Sequence, residues 1–172
     1  PDYIDCPDAP AFTGVSPATV PVVDAFVRIA QRATGFRANR IGIVGYSRGG
    51  GAALLWAARM HRPNRITSIA GMVTGQLAFG DLTPEEIGTS VVAEARGIRG
   101  PVLLLHDRGD SIVPISQSAD LAAALAGRGR RLATHWYDDC GGRACNHDWI
   151  FDARWRADVL DRATSWTLRQ VA

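Results

Sequence analysis

Short apolar runs alternate with stretches of helical spacing along most of this chain. From Thr19 onward, Val22, Phe26, Ile29, Ala30 and Ala33 recur at helical spacing. Thr19 can cap that helix, Pro21 suits its first turn and Gly35 is a natural stop. Residues 40–46 form an apolar run of the kind expected for a strand buried on both faces, and residues 49–60 then read as a helix. The alternation continues with a strand near 65–71, a helix around 84–95 and a strand at 101–106. A helix over 116–126 closed by Gly127, a strand near 132–137 and a terminal helix over 152–170 complete it. The terminal helix carries an apolar stripe of Trp155, Val159, Ala163 and Trp166, which reads as core packing. Strands alternating with helices predict an α/β fold, a parallel sheet with helices on both faces.

Residues 1–17, with Pro7, Pro10, Gly14 and Pro17, read as an irregular lead-in, so the chain is expected to be one domain with its organised core over 18–172. In a parallel sheet, ligands bind beyond the carboxyl ends of the strands, which directs attention to the residues following each strand. The first such segment is Gly45-Tyr46-Ser47-Arg48-Gly49, which fits G-x-S-x-G in a strand-turn-helix context. A nucleophile on so sharp a turn needs neighbours without bulky side chains, so glycines two residues either side let the strand reverse while the hydroxyl projects. The backbone N–H of Arg48 and the helix dipole then suit a developing oxyanion. A glycine-rich turn that only packs closely or binds phosphate is the alternative. The dinucleotide pattern G-x-G-x-x-G fails, because Ser47 stands at its second glycine.

After the strand at 101–106 come Asp107 and Asp110, either of which could orient a catalytic imidazole or serve as a turn residue. Asp110 is favoured because it lies further past the strand end. After the last strand, His147 is the one histidine in a post-strand loop; His61 ends a helix, His106 ends a strand and His135 lies within one. The order Ser, Asp, His, each after its own strand, is that of the α/β-hydrolases. Tyr46 and Trp149 flank this presumed site as candidate substrate contacts, and Trp136 lies nearby. Cys140, Cys145 and His147, with Asp138 or Asp139, invite a zinc reading, but the spacing matches no common zinc motif. A Cys140–Cys145 disulfide stiffening the histidine loop is the preferred expectation, with two free thiols as the alternative and Cys6 left over.

Composition narrows the chemistry further. The 172 residues are 47% apolar and 21% charged with net charge +2, which fits about one globular domain and argues against disorder or a nucleic-acid coat. The longest run of apolar and glycine residues, 49–58, is far short of the ~20 residues that span a bilayer. All 19 basic residues are Arg, so Schiff-base chemistry, a pyridoxal-phosphate anchor and a Walker lysine are excluded.

The elbow Gly-Tyr-Ser-Arg-Gly-Gly-Gly, followed later by Pro-Val-Leu-Leu-Leu-His-Asp-Arg-Gly-Asp-Ser-Ile-Val-Pro, resembles the α/β-hydrolase superfamily over residues 18–172. It looks most like the dienelactone hydrolase and related serine esterase branch. The second segment is similar to that family's acid-bearing His-Gly-x-x-Asp-x-x-Val-Pro, which implies Asp110 as the acid, with Asp107 in place of the usual glycine. Dienelactone hydrolases proper use a cysteine nucleophile, so Ser47 points to the serine esterase relatives.

The resemblance implies a serine hydrolase of small ester or related acyl substrates, with Ser47, His147 and Asp110 as triad and no metal or organic cofactor. A noncatalytic or impaired scaffold, and a peptidase of the same superfamily, are the competing readings. Members of the family normally place several strands before the elbow, and residues 1–17 cannot hold them. The strand at 40–46 would then become a sheet edge, expected to pair with a missing N-terminal segment, a partner chain or a second copy. The loop cysteines and the non-Met start lean toward a secreted or periplasmic bacterial protein, while the resemblance allows the cytoplasm.

Overall fold

A strand covered on both faces needs apolar residues at successive rather than alternate positions. In the computed structural model, which describes residues 15–75, 87–127, 131–138 and 147–168, strand β3 (Val102–Asp107) meets this condition with all six residues buried. Strand β2 (Ile66–Ile69) is buried along its whole length as well, although its middle residues, Thr67 and Ser68, are polar. With β1 (Ile43–Tyr46) and β4 (Leu132–Tyr137) they form a four-stranded, wholly parallel sheet in the order β1-β2-β3-β4. The expected α/β architecture is thus present.

Alternate side chains of the sheet feed two cores. Ile66, Val102 and Leu104 join Leu54, Leu55 and Trp56 of α2 (Arg48–Met60), together with Leu121 and Leu125 of α4 (Ile115–Ala126). Ile69, Leu103 and Leu105 face the other way, onto Trp149 and onto Val159 and Trp166 of α5 (Ala153–Leu168). Each fully buried Leu or Ile contributes on the order of 1.5–3 kcal/mol, so α2 and α5 clamp the sheet from opposite sides. Of the stripe predicted on the terminal helix, α5 buries Val159, Ala163 and Trp166, while Trp155 packs against the same side only partly buried.

Several boundaries differ from the sequence expectation. Residues 38–40 wind into a short 3-10 turn, so β1 starts only at Ile43. In the span 84–95, the described helix is the single turn α3 (Val91–Glu94), capped by the Ser90 hydroxyl accepting from the Ala93 N–H, and residues 84–86 lie outside the described residues. Helix α1 (Thr19–Thr34) ends as predicted, with Gly35 left-handed at φ 71°. It also starts at Thr19 as predicted, but Thr19 does not cap it: Ala18 occupies the cap position, and the Thr19 hydroxyl donates to the Ser16 carbonyl at 2.8 Å. Pro17 turns the chain one residue earlier than a Thr19 cap requires.

The larger correction concerns the face that α1 buries. Val27 is buried, and Val20 and Val23 pack against the same core, whereas Val22, Phe26 and Ile29 of the predicted stripe are 42%, 37% and 52% exposed. Asp24, on the buried side, accepts from the Trp56 indole at 3.2 Å and from Arg28 at 2.8 Å, which ties α1 to α2. The reason for the outward stripe is that β1 pairs with β2 alone among the described residues, so the sheet stops before reaching under that part of α1. Val44 on β1 is 49% exposed. Between α1, β1 and the start of α2 lies an apolar groove of about 360 Å3 lined by Val22, Phe26, Ala30, Ile43 and Val44. Among the described residues no helix is long and apolar enough to cross a membrane.

Candidate active site

At the carboxyl end of β1 one residue makes the whole turn into α2. Ser47 sits at φ 52°, ψ −125°, a conformation that side chains with a Cβ rarely adopt and that costs on the order of 1–3 kcal/mol. Four backbone hydrogen bonds hold it there. Its N–H donates to the Ile69 carbonyl at 2.9 Å, and its carbonyl accepts from Gly50, Gly51 and Met72 at 3.0, 3.2 and 3.1 Å. A Cβ on Gly45 would run into the Gly49 carbonyl, which is why the strand end must be glycine. Gly49 itself faces open space, so the symmetric demand expected for glycines two residues either side of Ser47 holds on one side only. Ser47 stands at the cap position of α2 without using its hydroxyl as a cap, and Arg48 opens the helix, where N–H groups and the dipole favour negative charge.

Of the two candidate aspartates, Asp107 uses Oδ1 to accept the Gly109 N–H at 2.7 Å, closing its own turn. Asp110 instead meets the histidine. Its Oδ1 accepts the N–H groups of Ile112 and Val113 at 3.0 and 2.9 Å, and its Oδ2 accepts from His147 Nδ1 at 2.7 Å. The side chain is fully buried. Burial alone would raise its pKa, but hydrogen bonds from His106 and His147 and from the Val113 N–H outweigh burial and hold the carboxyl well below the usual carboxylate range.

His106, read from the sequence only as the end of a strand, turns out to be the second imidazole on this carboxylate, with Nε2 3.5 Å from Asp110 Oδ2. Its tautomer follows from its partners. Nε2 faces the Val113 carbonyl at 2.9 Å, which can only accept, so Nε2 carries the proton and Nδ1 accepts from the Ser118 hydroxyl at 2.7 Å. The spacing His106 to Asp110 was the available signal, and it is ambiguous because a strand end and a turn separate the two residues.

His147 opens a 3-10 turn (His147–Phe151) and lies against the elbow. The Tyr46 ring stacks on its imidazole with centroids 4.9 Å apart and planes 24° apart. Since a carboxylate can only accept, Nδ1 carries the proton toward Asp110, leaving Nε2 of the neutral ring as a lone-pair acceptor. That nitrogen is shielded from solvent and has no hydrogen-bond partner among the described residues.

Of the two predicted substrate contacts, Tyr46 packs on His147. Trp149 is 3% exposed and packs on Tyr137 with centroids 4.9 Å apart. Trp136 packs against the core that α2 and α4 share. Cys6, Cys140, Cys145 and Asp139 lie outside the described residues, so the disulfide and zinc expectations fall there too.

The sharp strand-to-helix turn at Ser47 thus has a carboxylate-bound imidazole lying against it. The sequence matches the dienelactone hydrolase family over residues 11–168. The chain belongs to the dienelactone hydrolase family. No curated protein matches this family member in sequence. Solved structures share its fold at low identity. A protein assigned as a dienelactone hydrolase from Klebsiella pneumoniae subsp. pneumoniae is 19% identical with a TM-score of 0.67, the match covering 88% of this chain and 60% of that one. Dipeptidyl peptidase 4 of Porphyromonas gingivalis is 18% identical at a TM-score of 0.73, over 89% and 23% of the two chains. A puromycin-hydrolyzing peptidase of Mycobacterium tuberculosis is 21% identical at 0.68, over 87% and 24%. The dienelactone hydrolase family chain described here therefore spans about 60% of the length of the first of these and about a quarter of the two peptidases.

Proposed function

We propose that this dienelactone hydrolase family member is a serine hydrolase that cleaves a carboxylic ester or related acyl bond. The observation that carries the reading is His147, bound through Nδ1 to buried Asp110 with its Nε2 left without a partner among the described residues, lying against the turn that holds Ser47. In the proposed reaction, His147 Nε2 takes the proton from Ser47 Oγ as that oxygen attacks the substrate carbonyl. The Arg48 N–H and the α2 dipole stabilise the oxyanion. His147 then gives the proton to the leaving alcohol, and an acyl-enzyme on Ser47 remains. Water, deprotonated by the same imidazole, releases the acid. Asp110 stays ionised throughout, favouring the imidazolium that forms transiently.

Intact-mass analysis after treatment with a serine-reactive fluorophosphonate tests this. A single adduct in the wild type, absent in Ser47→Ala, is the expected result; a folded wild type without an adduct overturns it. That negative result is what the noncatalytic scaffold reading expects, whereas the loss of one oxyanion donor, at ~10²–10³ in rate, would slow labelling without abolishing it. A peptidase would share the same triad, and paired ester and amide substrates separate the two.

The proposal extends to the sheet edge. The outward stripe of α1, exposed Val44 and the groove between them support a further strand pairing with β1. We assign that strand to additional polypeptide of the same protein, in keeping with the greater length of the structural relatives. Coexpression with such a segment should remove any concentration-dependent association of this chain, and pairing between two copies would appear instead as a persistent dimer.

A further inference from the structure

A base that works on Ser47 must be held in a fixed orientation, yet 101 residues separate His147 from the elbow residue Tyr46 that it touches. The bond from His147 Nδ1 to Asp110 fixes one end of the imidazole and leaves the ring able to swing about that bond. Tyr46 supplies the missing restraint in two ways. Its ring lies nearly flat on the imidazole, 4.9 Å between centroids. Its hydroxyl donates to the backbone carbonyl of His147 itself at 2.9 Å and lies 3.3 Å from Asp148 Oδ1. Phe151, at the end of the same turn, packs edge-on against the Tyr46 ring at 5.7 Å, so the phenol is gripped by both ends of the turn that His147 opens.

Building on the reading of His147 as general base, we propose that Tyr46 is a positioning residue, fixing the plane of the His147 imidazole and the start of its turn against the nucleophile elbow. The substrate-contact role expected from the sequence would need a phenol free to meet a ligand, whereas this hydroxyl is already engaged with the histidine turn. Burial, then the nearby Asp148 and Asp110 charges, push the phenol well above its ordinary pKa, which keeps it a donor throughout any working pH range. Because Tyr46 immediately precedes Ser47, the link couples the nucleophile's strand end to the base's turn through one side chain.

Two variants divide the role. Tyr46→Phe keeps the stack and loses the hydrogen bond; Tyr46→Leu loses both. Misplacement of a reacting group by about 1 Å costs about 10²-fold, so kcat should fall about tenfold in the Phe variant and about a hundredfold in the Leu variant, with KM within about twofold. A raised KM at unchanged kcat would overturn the proposal in favour of substrate contact. The second readout needs no turnover: the downfield proton resonance of His147 Nδ1–H, sharp in the wild type, should broaden in Tyr46→Phe and vanish in Tyr46→Leu. Unchanged resonances overturn the proposal even if the chain proves inactive, while a missing fluorophosphonate adduct on Ser47 refutes the hydrolase reading separately. If Tyr46→Leu fails to fold, Tyr46→Phe, which deletes a single oxygen, decides the matter by both readouts.

Discussion

Replacing Asp110 by Asn exchanges one carboxylate oxygen for an amide nitrogen at the point where two imidazoles meet. The contacts of Oδ1 with the Ile112 and Val113 N–H groups survive, because an amide oxygen can accept both. The contacts of Oδ2 with His147 at 2.7 Å and His106 at 3.5 Å become donor against donor. His106 keeps its bond to the Val113 carbonyl, so the loss falls on the His147 bond, a charge-assisted one of about 1.5–3 kcal/mol in a fully buried site. Because His147 can remake the contact as a neutral hydrogen bond by shifting its proton, Asp110→Asn should destabilise the fold by about 1–2 kcal/mol near neutrality. The sign with pH follows from the depressed carboxyl. Its stabilisation is complete above the unfolded value of about 3.9 and is lost as pH falls toward the folded one. The difference between wild type and variant, from urea unfolding midpoints, should thus shrink by about 1 kcal/mol between pH 6 and pH 3. In parallel, His147 would satisfy the new amide by moving its proton to Nε2, where it cannot accept from Ser47, and fluorophosphonate labelling should slow by ~10³–10⁴. An equal stability loss at both pH values, or unaltered labelling, would refute the reasoning.

Three further outcomes follow from the packing. Gly45→Ala brings a Cβ onto the Gly49 carbonyl and should cost more than about 3 kcal/mol, visible as a collapse of the thermal midpoint or loss of soluble protein. Tyr137 donates to Asp158 Oδ2 at 2.8 Å, joining β4 to α5, so Tyr137→Phe should lower stability by about 1 kcal/mol without changing Ser47 labelling. Val44→Lys places a charge on the β1 edge and should shift any self-association to higher concentration in light scattering; an unchanged profile would place association elsewhere.

The parts of this fold legible in the sequence are those where one physical demand acts alone. A buried parallel strand writes itself as a continuous apolar run, so β3 could be read nearly to its ends. Strands β2 and β4, whose runs include Thr67, Ser68, Thr134 and His135, were located by the alternation of strands with helices, and the G-x-S-x-G motif located β1 and α2. Asp110 was preferred over Asp107 by its distance past the strand end, and it is Asp110 that meets His147. Periodicity misled on α1 because it marks an apolar face without saying what covers it. The true inner face holds Val20, Val23, Val27 and the polar anchor Asp24, a mixture with little contrast. The stack of Tyr46 on His147 had no sequence signal, since it arises where separate strand ends converge, and the second imidazole on Asp110 had only the ambiguous His106-to-Asp110 spacing across one strand end and its turn.

With Ser47 as the proposed nucleophile, its left-handed turn sets fitness for folding against fitness for reaction at a single position. Glycine would adopt φ 52° there without the strain, so Ser47→Gly should leave a protein that is more robust to heat and chemically inert. Stability screens run on this chain would drift toward that inert form. Only selection that reads turnover would retain the serine, which makes the elbow a built-in conflict for any attempt to improve the protein by thermal tolerance alone.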